Sequence, residues 1–183
     1  MQEKIMIYVI RHGQTDWNKE FKIQGRIDIP LNEVGIEQAK EAGKMIEGKK
    51  FDAVFCSPLT RTKQTCFYAY GNDENIIYDA RIQERDFGKQ EGLRRDEVDF
   101  VAYWTEGTQE NADCGETITQ MTQRVVSFLD ELKANYKDKD VLLVSHGGVI
   151  MIMQAYFYGP PKDNNYLNYL VTNASVTTFD FND

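Results

Sequence analysis

Residues 141–148 read Val141-Leu142-Leu143-Val144-Ser145-His146-Gly147-Gly148, an apolar run of strand length leading straight into a histidine and two glycines. The beginning of the chain repeats the pattern, with Ile5-Met6-Ile7-Tyr8-Val9-Ile10 leading into Arg11-His12-Gly13. A short, β-branched apolar run bounded by turn residues reads as a buried strand. The two histidines of the chain therefore stand at the carboxyl ends of strands, and each is followed by glycine. With glycine at about 7% of average sequences, chance would supply both pairs about 0.005 of the time.

Around these runs, strands alternate with helices. A polar loop follows from Arg11 to Pro30. Asn32 is placed to cap a helix over Glu33 to Glu47, with Val34, Ala39 and Ile46 on its buried face and Gly48 as its stop. Ala53 to Cys56 reads as a second strand, followed by Ser57 as N-cap, Pro58 at the first helical position and a helix to about Tyr70. Ile76 to Tyr78 is a third short strand. The stretch from Arg81 to Cys114 is the least regular, with one helix expected near Asp96 to Trp104, and residues 85–113 form a natural lid or specificity insert. From Thr117, the residues Ile118, Met121, Val125, Phe128, Leu129 and Leu132 follow helical spacing to about Asn135, and Val149 to Tyr158 makes another helix. Ser175 to Phe181 alternates as a half-buried antiparallel edge strand would. The expected fold is α/β: a three-layer sandwich, its central sheet mostly parallel with an antiparallel edge strand and helices on both faces.

A length of 183 residues, with no linker or repeat, predicts one domain over residues 1–183. Hydrophobic residues at 42% and charged residues at 27% are ordinary globular values. The net charge of -8 argues against nucleic acid and anionic membrane as partners, so an anionic small molecule would need a local cationic pocket. Three cysteines without a Cys-x-x-Cys pair suggest a reducing compartment, and two histidines make a His-rich metal site unexpected. No apolar stretch approaches spanning length, and the run after Lys4 lacks a small-residue cleavage site, so a cytoplasmic location is expected. Oligomeric state is left open by these features.

In open α/β sheets, ligands bind beyond the carboxyl ends of the strands. His12 and His146 are delivered there. Arg61, one turn into the helix after the second strand, leans back toward the same crevice. Together with Arg11 and the backbone N–H groups of the helix after Gly147, these residues make an anion cradle suited to phosphate. Cys56 to Arg61 has the outline of a Cys-based phosphatase loop, but the spacer is one residue short and lacks glycines, so Cys56 reads as a buried strand cysteine.

Further segments carry a resemblance. Arg11-His12-Gly13-Gln14-Thr15-Asp16-Trp17-Asn18, Gln24-Gly25-Arg26-Ile27-Asp28-Ile29-Pro30-Leu31, Ser57-Pro58-Leu59-Thr60-Arg61-Thr62, Glu84 with Phe87-Gly88, Gly115-Glu116-Thr117 and Ser145-His146-Gly147-Gly148 resemble the phosphoglycerate mutase-like histidine phosphatase superfamily. They stand in family order, and Asn173-Ala174-Ser175-Val176 is similar to the closing strand. Gln90 stands where the family often has an aromatic residue.

The resemblance implies phosphoryl transfer in two steps through a phosphohistidine on His12, without metal or other cofactor, on a small phosphorylated metabolite. A neutral imidazole can be the nucleophile when its other ring nitrogen donates to a backbone carbonyl. Arg11, Arg61, His146 and the amide of Asn18 would hold the phosphoryl oxygens, with Gln24, Gly25 and Gly147 beside them. The family places a carboxylic acid where Glu84 stands, which must hold a proton when the alkoxide leaves. Asp86 and Glu91 are neighbouring carboxylates, and Gln24-Gly25 either lines the pocket or makes a turn. The chain's short length favours hydrolysis over mutase chemistry; a phosphoglycerate mutase and a catalytically silent phospho-ligand binder are the competing readings.

Overall fold

The computed structural model describes residues 6–72 and 74–181; Lys4 and Ile5 lie outside them. Side chains along a strand point alternately to its two faces, so the apolar runs demand cover on both sides. Strands β1 (Ile7–Arg11), β2 (Ala53–Cys56), β3 (Ile77–Tyr78), β4 (Val141–Ser145) and β5 (Val176–Phe179) form one sheet in the order β3-β2-β4-β1-β5. All neighbours are parallel except β5, which pairs antiparallel to β1 at the edge.

The helices are α1 (Asp16–Lys19), α2 (Glu33–Met45), α3 (Thr60–Ala69), α4 (Phe100–Tyr103), α5 (Gln109–Ala112), α6 (Ile118–Tyr136) and α7 (Gly147–Tyr158). Ile7, Val9, Phe55, Val141 and Leu143 pack into one core with α6 and α7. The alternate residues Ile10, Val54, Cys56, Leu142 and Val144 pack into a second core with Ala42 and Ile46 at the end of α2 and Cys66 of α3. These two cores make the three layers. The six apolar residues of α6 expected to be inside are all buried, and Thr117 closes its start in a capping box with Gln120. Truncating one of them, Phe128, would cost about 3–5 kcal/mol.

Several local expectations change in the folded chain. Val34 is 52% exposed, because it follows the Asn32 cap on the outer face of α2, whereas Ala39 and Ile46 are buried. The loop from Arg11 to Pro30 contains α1, capped by Thr15. Ser57 does not cap α3, which starts after Leu59; Asp28, from a distant loop, accepts from the Thr60 backbone N–H and hydroxyl at 2.7 Å each. Helix α7 starts two residues before Val149, with His146 as its N-cap. Residues 85–113 add no strand to the sheet; of the two helices within them, α4 is shorter than the expected Asp96 to Trp104, and α5 is additional to it. Arg85 anchors this segment from inside: its fully buried guanidinium donates to the carbonyls of Glu116 and Tyr103 and to Asn111 Oδ1. Among the described residues, no helix is long and apolar enough to cross a membrane.

Candidate active site

The register of the sheet creates the site. Arg11 pairs with Ser145 at the ends of β1 and β4, so the residues that follow, His12 and His146, emerge at the same level. The His12 backbone N–H donates to the Ser145 carbonyl at 2.9 Å. The two rings meet edge to face with centroids 5.3 Å apart.

His12 is almost wholly buried, and its Nδ1 lies 2.7 Å from the Gly13 carbonyl. A carbonyl only accepts, so Nδ1 carries the proton and Nε2 keeps its lone pair. Burial first, then Arg61 and Arg11, hold this imidazole well below its ordinary value near 6.5, so it is neutral at pH 7. His146 is depressed in the same way by burial and then Arg61. Its Nε2 lies 2.7 Å from Ser57 Oγ, while its Nδ1 is buried without a protein partner.

The arginines arrive already braced. Arg61, with no exposed surface, donates to the carbonyls of Ile27 at 2.9 Å and Gly25 at 2.6 Å. Arg11 donates to the Val171 carbonyl. Burial lowers both guanidinium groups to about 10, which leaves them charged at neutral pH. Gly25 takes a left-handed φ of +52°, and a Cβ there would sit 1.9 Å from a Glu91 oxygen, so glycine is required.

One cavity is lined by Arg11, His12, Asn18, Gln24, Gly25, Arg61, Glu84 and Gly147, with Phe87, Trp104 and Met151 among its apolar walls. His146 adjoins this lining through its edge-to-face contact with the His12 ring. The structure thus brings together the residues expected to hold the phosphoryl group, whereas Asp86, Glu91 and Cys56 are outside the lining. Gln24 does line the cavity, with its Oε1 held by the Thr15 hydroxyl at 2.8 Å. The backbone N–H of Asn18 is used in the cap of α1, and its Oδ1 accepts from the Thr15 N–H. Of the helix N–H groups at the start of α7, that of Gly148 is given to Glu84 at 3.2 Å.

The three candidate carboxylates have separate positions. Glu84 faces the cavity, its other oxygen accepting from the Arg85 N–H at 2.8 Å. Asp86 turns back onto the Gly88 N–H. Glu91 accepts from the backbone N–H groups of Arg26, Ile27 and Phe87 and is used up in fastening that loop.

Three contributors, Ser57, Asn173 with Ala174, and Arg124, have roles that the sequence reading did not assign. Ser57 holds His146. Asn173 Nδ2 and the Ala174 N–H both donate to the His12 carbonyl, at 3.1 and 3.2 Å, and fix the backbone of the His12 turn. Arg124 donates to the carbonyls of Arg81, Gln83 and Glu84 while Glu116 holds it bidentately, so the Glu84 segment rests on an ion pair. Of Arg94, Arg95, Tyr103 and Trp104, the residues of the insert expected to shape substrate binding, Arg95 and Trp104 line the cavity, whereas Arg94 pairs with Asp96 outside. Ser57, Glu116 and Asn173-Ala174 fall within motifs already noted, but their spacing does not signal these contacts, and Arg124 lies in none of the motifs.

Of the buried side-chain nitrogens and oxygens without a partner among the described residues, Arg11 Nε, Arg61 Nε, Arg95 Nε and His146 Nδ1 belong to this one site. Leaving such groups unpaired costs roughly 1–3 kcal/mol each. A ligand rich in acceptor oxygens removes that penalty.

The resemblance seen in the motifs extends over nearly the whole fold. A profile of the histidine phosphatase superfamily (branch 1) matches residues 7–183, and the chain belongs to that superfamily. It is 31% identical over 177 residues to an uncharacterized phosphatase, PhoE, of Bacillus subtilis, covering 96% of this chain and 88% of that protein. It is 30% identical over 164 residues to a probable phosphoglycerate mutase, GpmB, of Salmonella choleraesuis, covering 86% and 76%. Phosphoserine phosphatase of Entamoeba histolytica has the same fold: a mutant bound to phosphoserine superposes with a TM-score of 0.84 at 28% identity, covering 97% of this chain and 91% of that one. The complex of that enzyme with 3-phosphoglyceric acid superposes with a TM-score of 0.82 at 30% identity and the same coverage.

Proposed function

We propose that the chain is a metal-independent phosphatase that hydrolyses small phosphomonoesters through a phosphohistidine on His12. The observation that carries this reading is that Arg11, Arg61 and a neutral His12 with its Nδ1 on the Gly13 carbonyl line one cavity, while buried nitrogens of Arg11, Arg61 and the adjoining His146 have no partner.

In the first step, the His12 Nε2 lone pair attacks phosphorus. The P–O ester bond breaks as Glu84, in its carboxylic acid form, protonates the leaving alkoxide. In the second step, water attacks the phosphohistidine, Glu84 as carboxylate takes the water's proton, and the P–N bond breaks to release inorganic phosphate and neutral His12. Charge on the equatorial oxygens is met by Arg11, Arg61, His146 and the side chain of Asn18, with Gln24, Gly25 and Gly147 forming the wall of the pocket. Preorganisation supports this assignment: backbone carbonyls already orient both arginines.

The test incubates the protein with phenyl phosphate and with phosphoglycerates, following free phosphate, isomer exchange and acid-labile phosphoenzyme. Phosphate release and a phosphoenzyme that vanish in His12→Ala, and that survive EDTA, are expected. Phosphate release by His12→Ala at the wild-type rate would falsify the nucleophile. Isomer exchange without net hydrolysis would point to a mutase, and neither reaction to a phospho-ligand binder.

A further inference from the structure

The imidazole of His12 is oriented by the Gly13 carbonyl, 2.7 Å from Nδ1. That carbonyl belongs to the peptide joining Gly13 to Gln14, so whatever holds this peptide also sets how the ring stands. The peptide is trans, and its carbonyl and the Gln14 N–H leave the plane in opposite directions. On the far side the Gln14 N–H donates to Gln38 Oε1 of α2 at 2.9 Å. A backbone N–H only donates, so the atom of Gln38 that faces it is the oxygen. His12 Nδ1–H, the peptide and Gln38 thus form one unbroken hydrogen-bonded chain.

Helix α2 is shaped to approach this peptide. A Cβ on Gly35 would lie 2.0 Å from the Gln14 carbonyl oxygen, and one on Gly13 would lie 2.3 Å from the Gly35 carbonyl oxygen, so backbone meets backbone here. Gln38 stands one turn after Gly35 on the same helix face. The Gln14 carbonyl accepts from the Asn32 N–H at 3.0 Å, which closes the contact at the start of α2. On the other flank the Gly13 N–H donates to the Thr65 hydroxyl of α3 at 3.0 Å, and that hydroxyl donates to the Arg61 carbonyl at 2.7 Å. Of these supports it is Gln38 that takes the N–H of the peptide whose carbonyl holds His12. Gln38 is outside the lining of the catalytic cavity, so any effect it has on His12 passes through that peptide.

We propose that Gln38 is a positioning residue for the nucleophile, acting through the Gly13–Gln14 peptide to orient His12 and to strengthen the pull on its Nδ1–H. This inference rests on the reading of His12 as the nucleophile of a phosphomonoesterase. Hydrogen bonds in a chain polarise one another, by about 10–30% per bond. Accepting from the Gln14 N–H makes the Gly13 carbonyl the better acceptor, and a firmer bond at Nδ1 leaves Nε2 richer in electron density for attack on phosphorus.

The test pairs Gln38→Met, which removes the acceptor at nearly constant length, with Gln38→Glu, which keeps an acceptor oxygen. The first readout needs no turnover: the His12 Nδ1–H proton resonance in the ligand-free protein, assigned by its absence from His12→Ala. It is expected to move upfield and to exchange faster with water in Gln38→Met, and to stay near its wild-type position in Gln38→Glu. The second readout is kcat/KM, which reports the steps up to phosphoenzyme formation. It should fall roughly three- to tenfold in Gln38→Met, and Gln38→Glu should recover most of the loss. The factor should be the same for p-nitrophenyl phosphate and for an alkyl phosphate, because protonation of the leaving group by Glu84 is untouched. An unmoved resonance in Gln38→Met, or equal losses of kcat/KM in both variants, overturns the proposal and leaves Gln38 a packing residue. A shifted resonance in a protein that turns over no phosphomonoester upholds the hydrogen-bonded chain and overturns only the hydrolase reading.

Discussion

The Ser57 hydroxyl lies 2.7 Å from Nε2 of His146, joining the end of β2 to the N-cap of α7. Both groups are fully buried, and the bond occupies Nε2 while Nδ1 has no protein partner. A hydroxyl can donate or accept; where Ser57 donates to Nε2, the proton of the neutral imidazole sits on Nδ1 and is available to a ligand oxygen.

Ser57→Ala should therefore release the His146 tautomer and leave a buried nitrogen unpaired, at a cost of roughly 1–3 kcal/mol in stability. The expected kinetic effect is a fall in kcat of about tenfold or more, read by steady-state assay beside a melting curve. Wild-type kcat in a protein of lowered Tm would show that Ser57 only supports packing.

The two histidines are held neutral inside the fold, first by burial and then by Arg61. In the unfolded chain they protonate near 6.5, and the folded chain refuses those protons until a much lower pH. Stability is thus fully present above about 6.5 and falls as pH drops below it, by up to about 1.4 kcal/mol per pH unit for each histidine. Urea denaturation at pH 7.5, 6.5 and 5.5 should show this loss, with a shallower slope in His12→Asn. A stability unchanged from pH 7.5 to 5.5 would contradict the burial of neutral rings.

A Cβ at position 148 would stand 2.1 Å from Glu84 Oε1 and 2.7 Å from Trp104. Gly148→Ala is expected to push the Glu84 carboxylate off its place in the cavity. Because a general acid matters most for a poor leaving group, kcat should fall about 100-fold for an alkyl phosphate and far less for p-nitrophenyl phosphate. Equal losses on both would remove Glu84 from the proton-transfer role.

Glu91 acts at one remove. Its carboxylate accepts from the N–H groups of Arg26 and Ile27 at 2.8 and 3.0 Å, and the carbonyls of Gly25 and Ile27 in that loop hold Arg61. Glu91→Gln should loosen Arg61 and raise the inhibition constant for inorganic phosphate by roughly tenfold. The alkyl-to-aryl rate ratio should stay as in the wild type, which separates it from Gly148→Ala. A changed ratio would return Glu91 to candidacy as the acid.

Much of the fold was legible because its signals are local. The continuous apolar runs of β1 and β4, the 3.6-residue spacing in α6 and the Asn32 cap of α2 each lie within a short window of sequence. Where local and distant partners competed, the local reading failed. Ser57 had the chemistry and position of an N-cap, yet its hydroxyl serves His146, 89 residues away, and Asp28 caps α3 from 32 residues upstream. The short helix α1 went unread because its Thr15 cap lies inside a polar stretch without apolar periodicity.

The sequence by itself determined the layer order of the fold, the placement of two histidines at strand ends and the residue types of a phosphate cradle, because periodicity, turn chemistry and motif spacing are properties of short segments. Only the tertiary structure decided that Glu84, rather than Asp86 or Glu91, faces the cavity, that Asn173 and Arg124 brace the site, and that Arg95 stands unpaired beside it. Those outcomes depend on the parallel register of β1 with β4 and on where the 85–113 segment packs. Contacts such as that of Asn173 with the His12 carbonyl, 161 positions apart, are set by that geometry, and no local pattern encodes them.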